Sequence, residues 1–233
     1  MSSGSAAPAA AQRFPCRRRH LVLCAMAALL LCAAAAPARA VDAPDGTLRW
    51  GIWRDGRKIG TDVMTLRHRR GDLIVEDEIQ AADSFGIIAL HRFIHRGREV
   101  WRGGRLLELD AFTNDNDKVS NLSAETEARG LVVDGPVGRF VAPPGVCPST
   151  LWSIDMTTAP MLIDVISGNL LAVRFAIGAE QPVATDQGDI AARHVSVSGD
   201  LVRELWYGPD GLLLQAHLVW PDGKPVDFRR ERP

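Results

Sequence analysis

Residues 70–79, Arg70-Gly71-Asp72-Leu73-Ile74-Val75-Glu76-Asp77-Glu78-Ile79 (RGDLIVEDEI), carry the pattern that decides the fold. A turn signal, Arg70-Gly71-Asp72, opens a run in which Leu73, Val75 and Ile79 alternate with Asp72, Ile74, Glu76 and Glu78. That two-residue period belongs to a strand with one buried face.

The same grammar repeats along the chain. Asp55-Gly56, Gly103-Gly104, Asp115-Asn116-Asp117, Asp134-Gly135, Asp210-Gly211 and Asp222-Gly223 separate runs rich in Val, Ile, Leu, Thr and Trp. Such spacing marks consecutive antiparallel hairpins, whose turns favour Gly, Asn and Asp at positions of positive φ. Strands are expected near 47–54, 57–68, 72–81, 86–96, 104–113, 118–128, 131–134 and 137–141. A second series is expected near 170–178, 190–198, 201–207, 211–220 and 224–230. Trp53, Trp101, Tyr207 and Trp220 each precede a turn, where a large ring caps the end of a core. Their irregular spacing excludes a repeat array.

Two strands read as apolar on both faces. One carries Ile87, Ala89 and Phe93 on one side with Ile88, Leu90 and Ile94 on the other. The second places Leu212, Leu214, Ala216, Leu218 and Trp220 together, with Leu213 and Val219 opposite. Such strands lie between two layers or face a ligand. The segment 148–168 breaks the rhythm. Met161, Leu162, Val165 and Ile166 fall at helical spacing and Gly168 stands at a stop, which predicts one or two short helices. The fold class is therefore all-β and mainly antiparallel: a curved sheet or half-open β-roll or barrel wrapped around a short helical segment near 149–167.

The first forty residues differ in kind. Arg17-Arg18-Arg19, the apolar run Leu21 to Ala36, and Ala38-Arg39-Ala40 are the parts of a cleavable secretory signal peptide with cleavage after Ala40. The apolar run is too short for a comfortable membrane span of about 20 residues. Arg18-Arg19 would also serve a twin-arginine route, although the general secretory route is favoured. Leu23 and Leu31 before Cys24 and Cys32 argue against lipidation. A single domain, 41–233, is left in the periplasm or outside the cell, with no stable membrane span. Cleavage removes five arginines and no acid, leaving 22 basic side chains against 28 acidic ones and a net charge near −6. That balance excludes nucleic acid as a partner. Of four cysteines only Cys147 remains, so no intrachain disulfide can form and the apolar core must hold the fold.

Few constellations carry chemistry. Cys147 is the obvious nucleophile, with Ser149 two residues on and His194 or His91 as candidate base, but no histidine sits in a context that marks it as one. His91 and His95 would share a helix face as a metal pair. In a strand they stand about 13 Å apart at roughly 3.3 Å per residue, with no acidic or cysteine ligand nearby in sequence, so no metal site is expected. Asn114-Asp115-Asn116-Asp117 lacks the glycine and distal glutamate of a calcium loop and reads as a turn. Asn121-Leu122-Ser123 matches a glycosylation sequon. Glu76 and Glu78 lie on a solvated strand face. No cofactor motif is present.

As a set, Ser149-Thr150-Leu151-Trp152 after Pro148, Leu162-Ile163-Asp164 leading to Gly168 and Val173, and Gly199-Asp200-Leu201 running into Leu205-Trp206-Tyr207 and Asp210-Gly211 form a pattern. With Asp55-Gly56, Ile59-Gly60, Trp101-Arg102 and Asn114-Asp115-Asn116, it resembles bacterial exported domain-of-unknown-function family 6134 over nearly all of 45–230. The resemblance implies one exported all-β domain and no established reaction. It is similar in pattern to envelope rolls, some of which carry acyl chains or envelope partners. Together these readings favour a non-enzymatic envelope protein that binds an apolar or amphipathic molecule such as a lipid, or an envelope interaction module. Trp152, Ile88, Leu90, Leu214 and Trp206 are its candidate ligand-binding residues. The alternative is a hydrolase with Cys147 or Ser149 as nucleophile.

Overall fold

The computed structural model describes residues 43–85, 88–186, 188–220 and 222–231. The export signal read in residues 1–40 lies outside the described residues, and so do the side chains of Ile88 and Leu90.

Fifteen strands form one open, mostly antiparallel sheet. The first eight are β1 (Gly46–Arg54), β2 (Arg57–Arg69), β3 (Asp72–Phe85), β4 (Ile88–Arg102), β5 (Arg105–Asp115), β6 (Lys118–Glu127), β7 (Gly130–Gly135) and β8 (Gly138–Val141). They are followed by β9 (Cys147–Pro148), β10 (Met161–Ile163), β11 (Leu170–Thr185), β12 (Gly188–Gly199), β13 (Arg203–Tyr207), β14 (Leu213–Val219) and β15 (Pro225–Glu231). The expected strands are all present, with β3, β4 and β11 extending well past their expected ends. The two-residue hairpins form as the turn signals require. Asp55 and Gly56 adopt φ of 49° and 74°, the left-handed pair whose twist matches the flanking strands.

Two meanders, β1–β8 and β9–β15, join at the middle of the sheet where β1 pairs with β15. This topology dictates the curvature. Fifteen strands at about 4.8 Å spacing would spread to roughly 67 Å if flat. The chain nevertheless passes from β8 at one edge to β9 at the other through residues 142–146, a reach of at most about 20 Å. The sheet must curl until its edges approach. Ser120 Oγ on β6 duly donates to the carbonyl of Ile166 at 2.9 Å.

The alternation read in the sequence decides what the curl encloses. Trp50 and Ile52 of β1, Met64 and Leu66 of β2, Leu73 and Val75 of β3, Val195 and Val197 of β12, and Leu205 and Tyr207 of β13 are buried in one core. Segment 149–166 fills the centre, with Leu151, Trp152, Met156, Leu162, Ile163 and Val165 all buried.

That segment is not helical as expected. It holds one short 3₁₀ turn at Ile154–Thr158, and its apolar run Met161–Ile163 is β10, parallel to β9 and antiparallel to β11. Pro160 is the cause: it holds Ala159 extended (φ −66°, ψ 136°) and ends the turn. The apolar spacing of a short buried strand cannot be told from that of a buried helix turn. Asp164 then closes a side-chain-capped turn, accepting from the backbone N–H of Ile166 and Ser167.

The inserted segment is tied to the wall at a buried carboxyl. Glu99 on β4, 1% exposed, accepts from Trp101 Nε1 (2.8 Å), Trp152 Nε1 (3.0 Å) and Thr150 Oγ1 (2.7 Å). Burial raises its pKa above the usual carboxylate value. From the opposite wall, Tyr207 donates its hydroxyl to the Leu151 carbonyl at 2.9 Å. Arg203 donates Nη1 to the Ser149 carbonyl at 2.6 Å.

Candidate ligand site

A cavity of about 260 Å³ lies between three walls. The first wall is β2–β4, with Asp62, Met64, Asp77, Ile79, Phe93 and His95. The second is β13–β15, with Arg203, Leu205, Leu218 and Phe228, and the third is the inserted segment with Ser149, Thr150 and Val165. Leu213, Ala216 and Trp220 complete an interior that is mostly apolar. Its lining includes Val219, 59% exposed, together with half-buried Ile166 and Leu201, which marks the opening to solvent.

Strand pairing brings the polar groups together. Met64 stands opposite Asp77 and Asp62 opposite Ile79 in the β2–β3 ladder, while Ile79 stands opposite His95 in β3–β4. Inward parity therefore sets Asp62, Asp77 and His95 on one patch of the concave face. His95, 2% exposed, bonds through Nδ1 to Thr113 Oγ1 at 2.8 Å, and its Nε2 stands 3.6 Å from Asp77 Oδ2. Nε2 itself has no hydrogen-bond partner, and neither has the enclosed Oδ1 of Asp62. Asp77 occupies space that only glycine can leave open on the next strand, since a Cβ at Gly97 would overlap Asp77 Oδ1.

Electrostatics follow from this enclosure. Burial, and then the charge of Glu99, push the Asp77 carboxyl up to about 7. Burial, and then Asp77, hold Asp62 well above the usual carboxylate range. Burial takes the His95 imidazole down to about 4. Near neutral pH the patch thus holds a neutral imidazole beside two carboxyls reluctant to ionise. On the aromatic side, Phe93 meets Trp220 edge-on at 4.9 Å between centroids, and Trp220 stacks on Phe228 at 5.9 Å.

Sequence reasoning missed Asp62, Asp77 and His95 as site residues. The signal was their parity: Asp77 shares a face with Leu73, Val75 and Ile79, and Asp62 shares one with Met64 and Leu66. A carboxylate on an apolar strand face is the informative exception.

The residues singled out from sequence fall in several places. Trp152 is buried at the Glu99 tie and does not line the cavity. Trp206 and Leu214 belong to a separate small cluster with Val183, Ala192 and Ile190 on the other face of the sheet. The cause is a register shift between Trp206 and Tyr207, which leaves Leu214 unpaired. It turns Leu213, rather than Leu214, inward with Ala216, Leu218 and Trp220.

The candidate nucleophiles and bases are not assembled. Cys147 is buried on β9 with its thiol pushed up to about 12, chiefly by burial. Ser149 lies on the cavity wall, where its Oγ accepts from Val165 N–H at 3.2 Å. His194 bonds Glu204 Oε2 at 2.6 Å and packs on Trp206, on the face opposite the core. His91 bonds Asp115 Oδ1 at 2.6 Å near the far end of β4. Among the described residues no histidine bonds to Cys147 or Ser149, and nothing favours the hydrolase reading. In native protein Cys147 is expected to resist alkylation by iodoacetamide and to react fully only after denaturation; native-state mass spectrometry checks this.

Comparison with solved structures finds a match in a crystal structure of a beta-barrel-like protein of domain of unknown function DUF1849 from Brucella abortus. The TM-score is 0.57 at 10% identity, over 80% of this chain and 95% of that one. At that identity the likeness concerns the fold alone. No curated protein matches. A family model described as a domain of unknown function, DUF6134, matches residues 50–231.

Proposed function

The chain belongs to the DUF6134 family of unknown function, and from that premise we propose that it is a non-enzymatic binding protein that acts after export, in the periplasm or outside the cell. Its ligand is a small amphipathic molecule, or the end of a longer one such as a lipid. The observation that carries this reading is the cavity of about 260 Å³, apolar over most of its wall and polar at one patch. The export signal supplies the compartment.

The volume limits the ligand. At about 30 Å³ per water-sized group, the cavity takes roughly nine heavy atoms, so a full acyl chain would have to extend through the opening beside Val219.

The test is ligand-dependent stabilisation. Adding n-octanol, an alcohol of matching size, is expected to raise the thermal midpoint in a concentration-dependent way. Ala216→Phe, which places a ring in the cavity, is expected to lower that affinity by about tenfold or more, the equivalent of 1.4 kcal/mol per decade. Stabilisation that is absent, or equal in the filled variant, would count against the reading. Organic extracts of the exported protein analysed by mass spectrometry identify the natural occupant.

A further inference from the structure

We propose that the polar end of the cavity recognises a protonated amine, making the ligand of the binding function above a short alkylammonium compound. The inference rests on that binding function and adds the chemistry of the head group. Three buried polar atoms of the cavity lining lack partners: Oδ1 of Asp62, Nε1 of Trp220, and Nε2 of His95, which lies 3.6 Å from the Asp77 carboxyl. The other ionic groups of the cavity are already engaged. Arg203 donates to the Ser149 carbonyl, and Asp164 accepts from Ile166, Ser167 N–H and Ser167 Oγ.

Beside the Trp220 N–H, the unmet groups are a carboxyl oxygen and an imidazole nitrogen, and a buried carboxylate without a countercharge is expensive. An ammonium supplies both the countercharge and up to three donors. The adjoining wall of Phe93 and Trp220 suits the same head, because the faces of aromatic rings attract cations.

A proton linkage follows. The charged or titratable groups around Asp77 are Asp62 from β2, His95 and Glu99 from β4, Arg203 from β13 and Asp164 from the turn after β10. With the Asp77 carboxyl at about 7, a cation that needs it ionised competes with its proton. Affinity then falls about tenfold for each pH unit below that point. The amine itself stays protonated to about pH 10.

The experiment titrates the full exported protein with n-octylammonium and with n-octanol, which match in length, by calorimetry at pH 5.5, 7 and 8.5. Expected are a preference of about tenfold or more for the ammonium at pH 8.5, a loss of that preference toward pH 5.5, and an alcohol affinity that barely moves. Asp77→Asn, and separately Asp62→Asn, abolish the preference and keep alcohol binding. Gly97→Ala, which displaces the Asp77 carboxyl without removing it, repeats the check if Asp77→Asn does not fold. Equal binding of the two probes at pH 8.5, or a preference that survives these substitutions, overturns the inference. Alcohol binding without any ammonium binding overturns it while leaving the cavity function standing. Failure of both probes overturns both.

Discussion

Replacement of Glu99 by alanine is expected to lower folding stability by about 3–5 kcal/mol, read from urea unfolding at constant slope. The side chain accepts from two indole N–H groups and one hydroxyl, all within or at the edge of the core. Its removal strands those three donors, at about 1–3 kcal/mol for each one left unsatisfied, and opens a void beside Trp101 and Trp152, whose rings meet edge-on at 6.5 Å. Partial relaxation keeps the total below the simple sum. Glu99→Gln keeps the shape and one acceptor but turns an amide toward a donor, so about 1–2 kcal/mol is expected. The tie also fixes Thr150 and, through it, Ser149 on the cavity wall. A Glu99→Ala protein within about 1 kcal/mol of the parent would show that the inserted segment is held by apolar packing alone.

Asp77→Asn has the opposite sign. A carboxyl whose folded value is about 7 against an unfolded 3.8 holds its proton more tightly in the native state. Between those two values the folded protein binds more protons than the unfolded one, so stability falls as pH rises. The penalty is absent below about pH 4 and complete above about pH 7.5. Asparagine removes it. The variant is expected to match the parent near pH 4 and to exceed it on the order of 2–4 kcal/mol at pH 8, measured by unfolding at both pH values. A stabilisation that did not change with pH would mean that Asp77 is not the group under strain. Retention of a costly buried acid in the parent is the pattern of stability exchanged for function.

Much of the fold was legible from residues alone, because period and turn chemistry are local. The alternation Leu73, Val75, Ile79 names a strand whatever surrounds it, and Asp55-Gly56 can take two left-handed conformations whatever follows. The inserted segment was legible only as an interruption: Met161, Leu162, Val165 and Ile166 satisfy a helix pattern, while Pro160 and the pairing with β9 and β11 impose a strand. The site was less legible. Asp62 and Asp77 share strand faces with apolar residues, but Glu99 lies beyond the expected strand end at 96, and parity alone cannot separate a carboxyl that faces a cavity from one tied to two indoles.

Sequence by itself determined the all-β class, the hairpin order and the apolar faces, because each rests on composition or on neighbours a few residues apart. Tertiary structure alone decided which faces meet. It set Asp62, Asp77 and His95 side by side through the β2–β3–β4 register, and it closed β13–β15 over them. At the bulge between Trp206 and Tyr207 it exchanged Leu213 for Leu214 on the inner face. The physical reason is that a one-residue shift in a strand costs little locally and reverses every side chain beyond it. The content of the cavity is therefore fixed by long-range pairing that no local pattern records.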